Sequence, residues 1–173
     1  MKRLVPHDSQ WKAHFAAQAD RLRQCLGAVV VDIHHIGGTA IPDTHTKPVI
    51  DIALEVTSLA ELDTFRAQIE AHGYEARGEH GIPGRRYFKK HADTSGPGFH
   101  VHAFAHGSEH VTRHIQFRDF LLHRPDIAQQ YSALKTSLTT PDGTLVPDYT
   151  ERKDAFVSRI VGLAARHASK DPE

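Results

Sequence analysis

The stretch Lys47-Pro48-Val49-Ile50-Asp51-Ile52-Ala53-Leu54-Glu55-Val56 constrains the fold more than any other part of the chain. Its alternation predicts a β-strand, with Ile50, Ile52, Leu54 and Val56 on a core face and Asp51, Ala53 and Glu55 on the opposite one. A carboxylate in the middle of an otherwise apolar strand is costly unless it is paired, hydrogen-bonded or metal-bound, so Asp51 requires a partner. An ion pair with Arg85 or Lys47 would satisfy it as well as a ligand would.

Residues 29–36 are rich in β-branched side chains and read as a preceding strand, which runs into Gly37-Gly38-Thr39 and a tight Ile41-Pro42-Asp43 turn. Two glycines let the backbone approach a ligand closely and point N–H groups at it, an arrangement that suits phosphate. A turn that merely needs positive φ accounts for them equally well.

Around these strands the pattern is mixed. Asp8 and Ser9 are caps for a helix with Trp11, Phe15, Leu22 and Leu26 on one face, ended by Gly27. Ser58-Leu59-Ala60-Glu61 is a capping box for another, with Leu59, Leu62, Phe65 and Ile69 as its apolar stripe and Gly73 as its stop. Residues 74–78, 85–90 and 99–106 are further strand candidates joined by Gly/Pro turns. The last third is helical: Val111, Ile115 and Leu122 mark one helix, Pro125 opens a second through Tyr131 and Leu138, and Thr150 caps a third through Phe156 and Ile160. Residues 139–147 form a turn-rich connector, and residues 168–173 should fray. The expectation is one α/β domain over residues 1–173, with a sheet preceded by one helix and covered by later ones.

Acidic and basic residues number 21 each, so no net field draws the protein to nucleic acid or an anionic membrane, and any phosphate chemistry must come from a local cluster. The polar N-terminus lacks the apolar core of a signal peptide, and no stretch approaches the ~20 apolar residues of a membrane span. The single cysteine, Cys25, excludes an internal disulfide, and the expected location is cytoplasmic.

Of the 15 histidines, His100, His102 and His106 fall on one face of a predicted strand. A neighbouring strand could present His102 to Asp51, where an imidazole completes a metal site, serves as acid or base, or simply fixes the carboxylate by a hydrogen bond. The run His100-Val101-His102-Ala103-Phe104 also touches the pattern of histidine-dependent nucleotide hydrolases, but Phe104 stands where their next histidine would be. Arg85 reads as a phosphate clamp or as part of a charged edge strand with Arg86, Lys89 and Lys90. Arg118 pairs with Asp119 or reaches the site from a covering helix, while Tyr131 and Lys135 share a helix face on which Lys135 reads as a snorkelling surface lysine.

Several of these stretches together resemble the GrpB family. They are His35 to Pro42, Lys47 to Ile52, Gly78 through Arg85 to Phe88, His100-Val101-His102, and Phe117 to Leu121 with His123, Pro125, Tyr131 and Lys135, flanked by the Trp11 and Tyr149-Lys153-Phe156 helices. The resemblance implies a nucleotidyltransferase-like fold with a mixed or antiparallel sheet, a glycine turn that cradles phosphates, and strand carboxylates that hold a divalent metal, Mg²⁺ or Mn²⁺. It also implies a small nucleotide or phosphate ligand, and in some bacteria a similar domain is fused to dephospho-CoA kinase. On that pattern Gly37, Gly38, Thr39, Lys47, Arg85 and Arg118 would bind ligand, Asp51 and His102 would be catalytic, and Asp51, His102 and His100 would hold metal.

Two positions depart from the pattern. Gly38 stands where such relatives have Ser, and Ala53 stands where active nucleotidyltransferases carry a second acid. Glu55 cannot substitute, because four residues of strand span roughly 13 Å, whereas paired ions sit about 3.5–4 Å apart. The expectation is therefore a metal-dependent nucleotidyl or phosphoryl transferase, or a binding module for a nucleotide or CoA precursor that has lost catalysis, with a histidine-dependent hydrolase and an interaction protein as weaker readings.

Overall fold

The structure, a computed structural model, describes residues 3–94, 96–141 and 144–168. In chain order the elements are β1 (Val5–Pro6), α1 (Gln10–Leu26), β2 (Val30–Ile36), β3 (His45–Thr46), β4 (Val49–Val56), α2 (Leu59–Thr64), α3 (Arg66–Ala71), β5 (Glu75–Ala76), β6 (Arg86–Lys90), β7 (Gly98–Ala105), α4 (Glu109–His123), α5 (Pro125–Ser137) and α6 (Tyr149–Ala168). The terminal residues 169–173, expected to fray, lie outside the described residues.

The main sheet has the order β2-β4-β7-β6-β5, and it is mixed. The β4–β7 pair is parallel, while β2–β4, β6–β7 and β5–β6 are antiparallel. Parallel neighbours require a long crossover. Here residues 57–97 supply it and contain α2, α3, β5 and β6. A small β1–β3 ladder, absent from the sequence reading, pairs Val5 with Thr46.

Both faces of β4 are covered, as a central strand with a parallel neighbour demands. Ile50, Ile52, Leu54 and Val56 pack against Trp11, Leu22 and Leu26 of α1, Leu62 of α2 and Ile69 of α3. On the other face Ala53 joins Ile36, Phe104 and Val111 of α4. A further cluster of Phe117, Leu121, Tyr131 and Ile160 welds α4, α5 and α6 together and reaches back to Ile41, just after the glycine turn.

Local boundaries differ from the sequence expectation where tertiary contacts decide them. The helix predicted over residues 58–73 is two, α2 and α3, broken at Phe65. The Phe65 N–H bonds to the Leu62 carbonyl at 3.0 Å, a tightened turn that redirects the chain so that Leu62 and Ile69 both reach the core. Asp8 rather than Ser9 caps α1, accepting from the Gln10 N–H at 2.9 Å. The last helix starts at Tyr149, which leaves Thr150 inside it rather than at its cap.

Glu55, near the end of β4, is 8% exposed and accepts from His34 Nε2 at 3.0 Å, His106 Nδ1 at 2.8 Å and the Gly107 N–H at 3.2 Å. It thereby ties β2 and β4 to the turn that launches α4. Burial raises its pKa, but these hydrogen bonds outweigh burial and leave the group below its ordinary value. Its contribution is therefore present above the unfolded carboxyl pKa and lost as pH falls through the folded one. Glu55→Ala is expected to destabilise the fold by about 1.5–3 kcal/mol at pH 7, and urea denaturation should show the deficit shrinking below about pH 4.

Candidate functional site

Strand register assembles the site. Asp51 lies opposite His100 of β7 and Ile36 of β2, and Ala53 lies opposite His102. Because β2 ends beside Asp51, the turn that follows passes directly over the carboxylate. Gly37 there has φ 73°, and a Cβ on it would lie 2.5 Å from Asp51 Oδ2. Both the backbone conformation and the close approach require glycine. Gly38 is required for space alone: a Cβ would lie 2.1 Å from Thr46 Oγ1 and 3.2 Å from Lys135 Nζ.

His100 Nδ1 and His102 Nε2 each lie 3.4 Å from Asp51 Oδ1. On its far side His102 Nδ1 lies 3.2 Å from Arg85 Nη1. A guanidinium can only donate, so Nδ1 accepts and Nε2 carries the proton that points at Asp51. Arg85 is 6% exposed and also donates to the carbonyls of Glu79 and His80, so it pins the 79–85 loop to the imidazole. Burial pushes the Asp51 carboxyl up, but the hydrogen bonds from His100 and His102 prevail and hold it below the usual carboxylate range.

In front of Asp51 a cavity of about 340 Å³ opens between sheet and helices. Gly37, Gly38, Thr46, Lys47, Asp51, His100 and His102 form its sheet wall. Arg113 and His114 of α4, Tyr131 and Lys135 of α5, and Tyr149, Lys153 and Asp154 of α6 form the opposite wall. Lys135 is 2% exposed, and its Nζ has no hydrogen-bond partner. Its ammonium sits 4.3 Å above the Tyr131 ring centroid, a cation–π contact. Burial, reinforced by Lys153 and Lys47, pushes its pKa down to about 7.

Residues 2–162 match the family described as GrpB protein. The chain belongs to the GrpB family. It is 36% identical over 163 residues to the UPF0157 protein YqkA of Bacillus subtilis, covering 94% of this chain and 47% of that one. It is 31% identical over 161 residues to the glutamate-rich protein GrpB of Alkalihalophilus pseudofirmus, covering 91% and 92%. The chain thus spans about half the length of the first relative and most of the second. A crystal structure of conserved protein GrpB from Enterococcus faecalis superposes with TM-score 0.85 at 31% identity over 95% of this chain and 98% of that one. Cid1, solved in complex with its short product ApU, superposes with TM-score 0.51 at 15% identity over 76% of this chain and 40% of that one, which establishes the nucleotidyltransferase-like fold.

That fold raises the question of a divalent cation, and the donor set does not fit one. The position that would carry the second acid is Ala53, and Glu55 is consumed by His34, His106 and Gly107. His102 presents an N–H, not a lone pair, toward Asp51 as long as Arg85 donates to its other nitrogen. Among the described residues no group of three His, Cys, Asp or Glu side chains is placed to hold an ion.

Of the residues singled out from sequence, Gly37, Gly38, Lys47, Asp51, His100 and His102 line the cavity together. Three do not reach it. Thr39 is 2% exposed, with its hydroxyl 2.9 Å from His35 Nε2. Arg85 is spent on loop carbonyls and His102. Arg118 donates to the His35 carbonyl at 3.0 Å and to Asp119 at 2.7 Å, holding α4 to β2. The reading of Lys135 as a surface lysine is overturned, because α5 turns its Tyr131–Lys135 face inward. Helical spacing puts Ala128, Tyr131, Ser132 and Lys135 on one face, but it does not say what packs against that face. Arg113 and Lys153 are cavity residues that the sequence reading passed over in this role.

Two outcomes follow from this geometry. Gly37→Ala should cost about 1–3 kcal/mol in urea denaturation, because the new methyl meets the Asp51 carboxylate at a positive φ. Lys135→Met should stabilise the ligand-free protein by about 1–3 kcal/mol near pH 7 by removing an unsatisfied buried amine. The lysine's folded pKa is depressed, so its penalty is full below about 7 and fades toward its unfolded value. The gain in melting temperature of Lys135→Met should accordingly shrink as pH rises to about 10.

Proposed function

We propose that this GrpB-family chain binds a nucleotide or similar small phosphate ester in the cavity between the Gly37-Gly38 turn and α5, and that it does so without paired metal ions. The carrying observation is the Lys135 amine, buried, without a hydrogen-bond partner, and 3.2 Å from where a side chain on Gly38 would begin. A buried cation without an anion is costly to maintain unless a ligand completes it. Lys47, Lys153 and Arg113 line the same cavity and surround that position with positive charge. Such donors suit phosphate oxygens, and the glycine turn allows close backbone approach.

Within this reading Asp51 and His102 organise the floor of the site rather than load a metal. Asp51 orients His100 and His102, and Arg85 fixes the tautomer of His102, so the carboxylate and its two imidazoles are held in a set geometry on the cavity floor. This supports recognition more than transfer chemistry, for which a second acid would be needed to place the attacking and leaving oxygens.

A phosphate-ended reactant of CoA metabolism, such as CoA with its 3′-phosphate, is the ligand class favoured by one specific observation. Dephospho-CoA kinase of Mycolicibacterium paratuberculosis contains a stretch 31% identical to this chain over 159 residues, covering 78% of this chain and 39% of that one. A domain kept beside that enzyme has reason to bind its substrate or product.

The test is a thermal-shift panel of ATP, AMP, CoA and dephospho-CoA, in EDTA and with Mg²⁺ or Mn²⁺, on wild type, Asp51→Asn and Lys135→Met. Binding without metal should raise the melting temperature in EDTA, by up to about 2.7 kcal/mol of stabilisation at a hundredfold excess over Kd, and Lys135→Met should lose at least tenfold in affinity. Stabilisation that appears only with metal and disappears in Asp51→Asn would overturn the metal-free reading and favour the transferase one, which a product assay would then test.

A further inference from the structure

We propose that the cavity receives a terminal phosphate in its dianionic form, and that its binding draws a proton from solvent onto Lys135. The proposal rests on the phosphate-binding reading above and adds to it the kind of phosphate and a linked proton.

Consider which charges face the Lys135 amine. From α6 come Lys153, Asp154 and Tyr149; from α4, Arg113 and His114; from α5 itself, Tyr131. From the sheet side come Lys47, Asp51, His100 and His102. The acids among these are already committed. Asp154 lies 3.2 Å from Lys153 Nζ. Asp51 lies 3.4 Å from both His100 and His102. No carboxylate among the described residues forms an ion pair with Lys135, whereas Lys47 and Lys153 raise the cost of its charge. An anion that stabilises the protonated amine must therefore come from outside the described residues.

The amine lies at the back of the cavity, 2% exposed, against the glycine turn and the Tyr131 ring. A phosphate that reaches it must enter end-on. A monoester or the end of a polyphosphate can do so with its free oxygens leading, and its two negative charges meet an amine with three donor positions once protonated. A diester carries one charge and a chain on each side, so one of those chains would point into the buried end of the cavity, where the amine packs against the glycine turn and the Tyr131 ring. Before the ligand arrives, burial and the neighbouring lysines hold Lys135 near its neutral form, with a pKa of about 7. An adjacent dianion reverses that preference, because an opposite charge at hydrogen-bond distance favours the charged amine.

Methyl phosphate and dimethyl phosphate are the probes, since the monoester is fully dianionic at pH 8, its second pKa being near 6. Dissociation constants come from ³¹P NMR titration of the wild-type chain at pH 8 and pH 9, and proton uptake from calorimetry at pH 8 in buffers of differing ionisation enthalpy. The expected result is about tenfold weaker methyl phosphate binding at pH 9 than at pH 8, with about one proton taken up per ligand bound, and no measurable binding of dimethyl phosphate. In Lys153→Met the affinity should fall while the pH slope persists. In Lys135→Arg the slope should vanish, because a guanidinium stays charged throughout this range.

Methyl phosphate binding that is flat in pH and releases or takes up no proton overturns the linked proton while leaving phosphate binding intact. Equal binding of the diester overturns the terminal-phosphate assignment. If neither probe binds while nucleotides also leave the melting temperature unchanged, the phosphate reading of the cavity falls, and this inference with it. The calorimetric proton count is made on wild type, so it decides the matter even if a substituted chain fails to fold.

Discussion

The parallel pairing of β4 with β7 is the constraint from which the rest of the structure follows. It places Asp51 level with His100 and Ala53 level with His102, and it obliges the intervening chain to travel far enough to build α2, α3, β5 and β6 on the way. It also makes β4 a central strand with both faces covered, so any acid on it must find partners inside the protein. β4 carries two, and each recruits a pair of histidines. Glu55 meets His34 and His106 and is closed off by the Gly107 N–H. Asp51 meets His100 and His102 but looks into a cavity lined with cations. The two arrangements use the same chemistry with different access, one locking the sheet to α4 and the other furnishing the floor of a site.

Much of this was legible before any coordinates. The alternation in residues 49–56 identified the strand and its inward residues, because a period of two leaves no freedom about which side chains share a face. The period-two histidines of β7 identified their common face for the same reason, and the glycine turn was marked by residue type. Motifs in sequence order carried the family. What stayed hidden depends on how separate elements meet. Phe65 breaks a helix whose capping box and apolar stripe both read as continuous, since the break serves core contacts made by Leu62 and Ile69. Arg85 and Arg118 have the chemistry of phosphate ligands, and only the folded chain reveals that loop and strand carbonyls have taken their donors. Lys135 was hidden most completely, because lysine at a helix position ordinarily reaches solvent, and nothing local says that α4 and α6 close over it.

The fold is shared with nucleotidyltransferases, yet a shared fold specifies a frame rather than a reaction. In this chain the frame keeps the glycine turn and one strand acid. Where a second acid would stand there is a methyl group packed against Ile36 and Phe104, so that part of the surface has become core. Positive charge is instead contributed by the helices, through Arg113, Lys135 and Lys153, and the sheet-side Lys47 faces them with its ammonium 4.6 Å over the Tyr149 ring. The helical layer is therefore a charged wall of the cavity and not merely a cover for the sheet.

The contact between Gly38 and Thr46 has an evolutionary consequence. Thr46 Oγ1 already occupies the volume that any side chain at residue 38 would enter, 2.1 Å from its first carbon. Shortening residue 46 would remove the hydroxyl but leave its Cβ, which would itself lie 2.8 Å from the new carbon. A lineage could therefore gain a side chain at 38 only if β3 also shifted away from the glycine turn, so the two positions are coupled through the backbone as well as through their side chains.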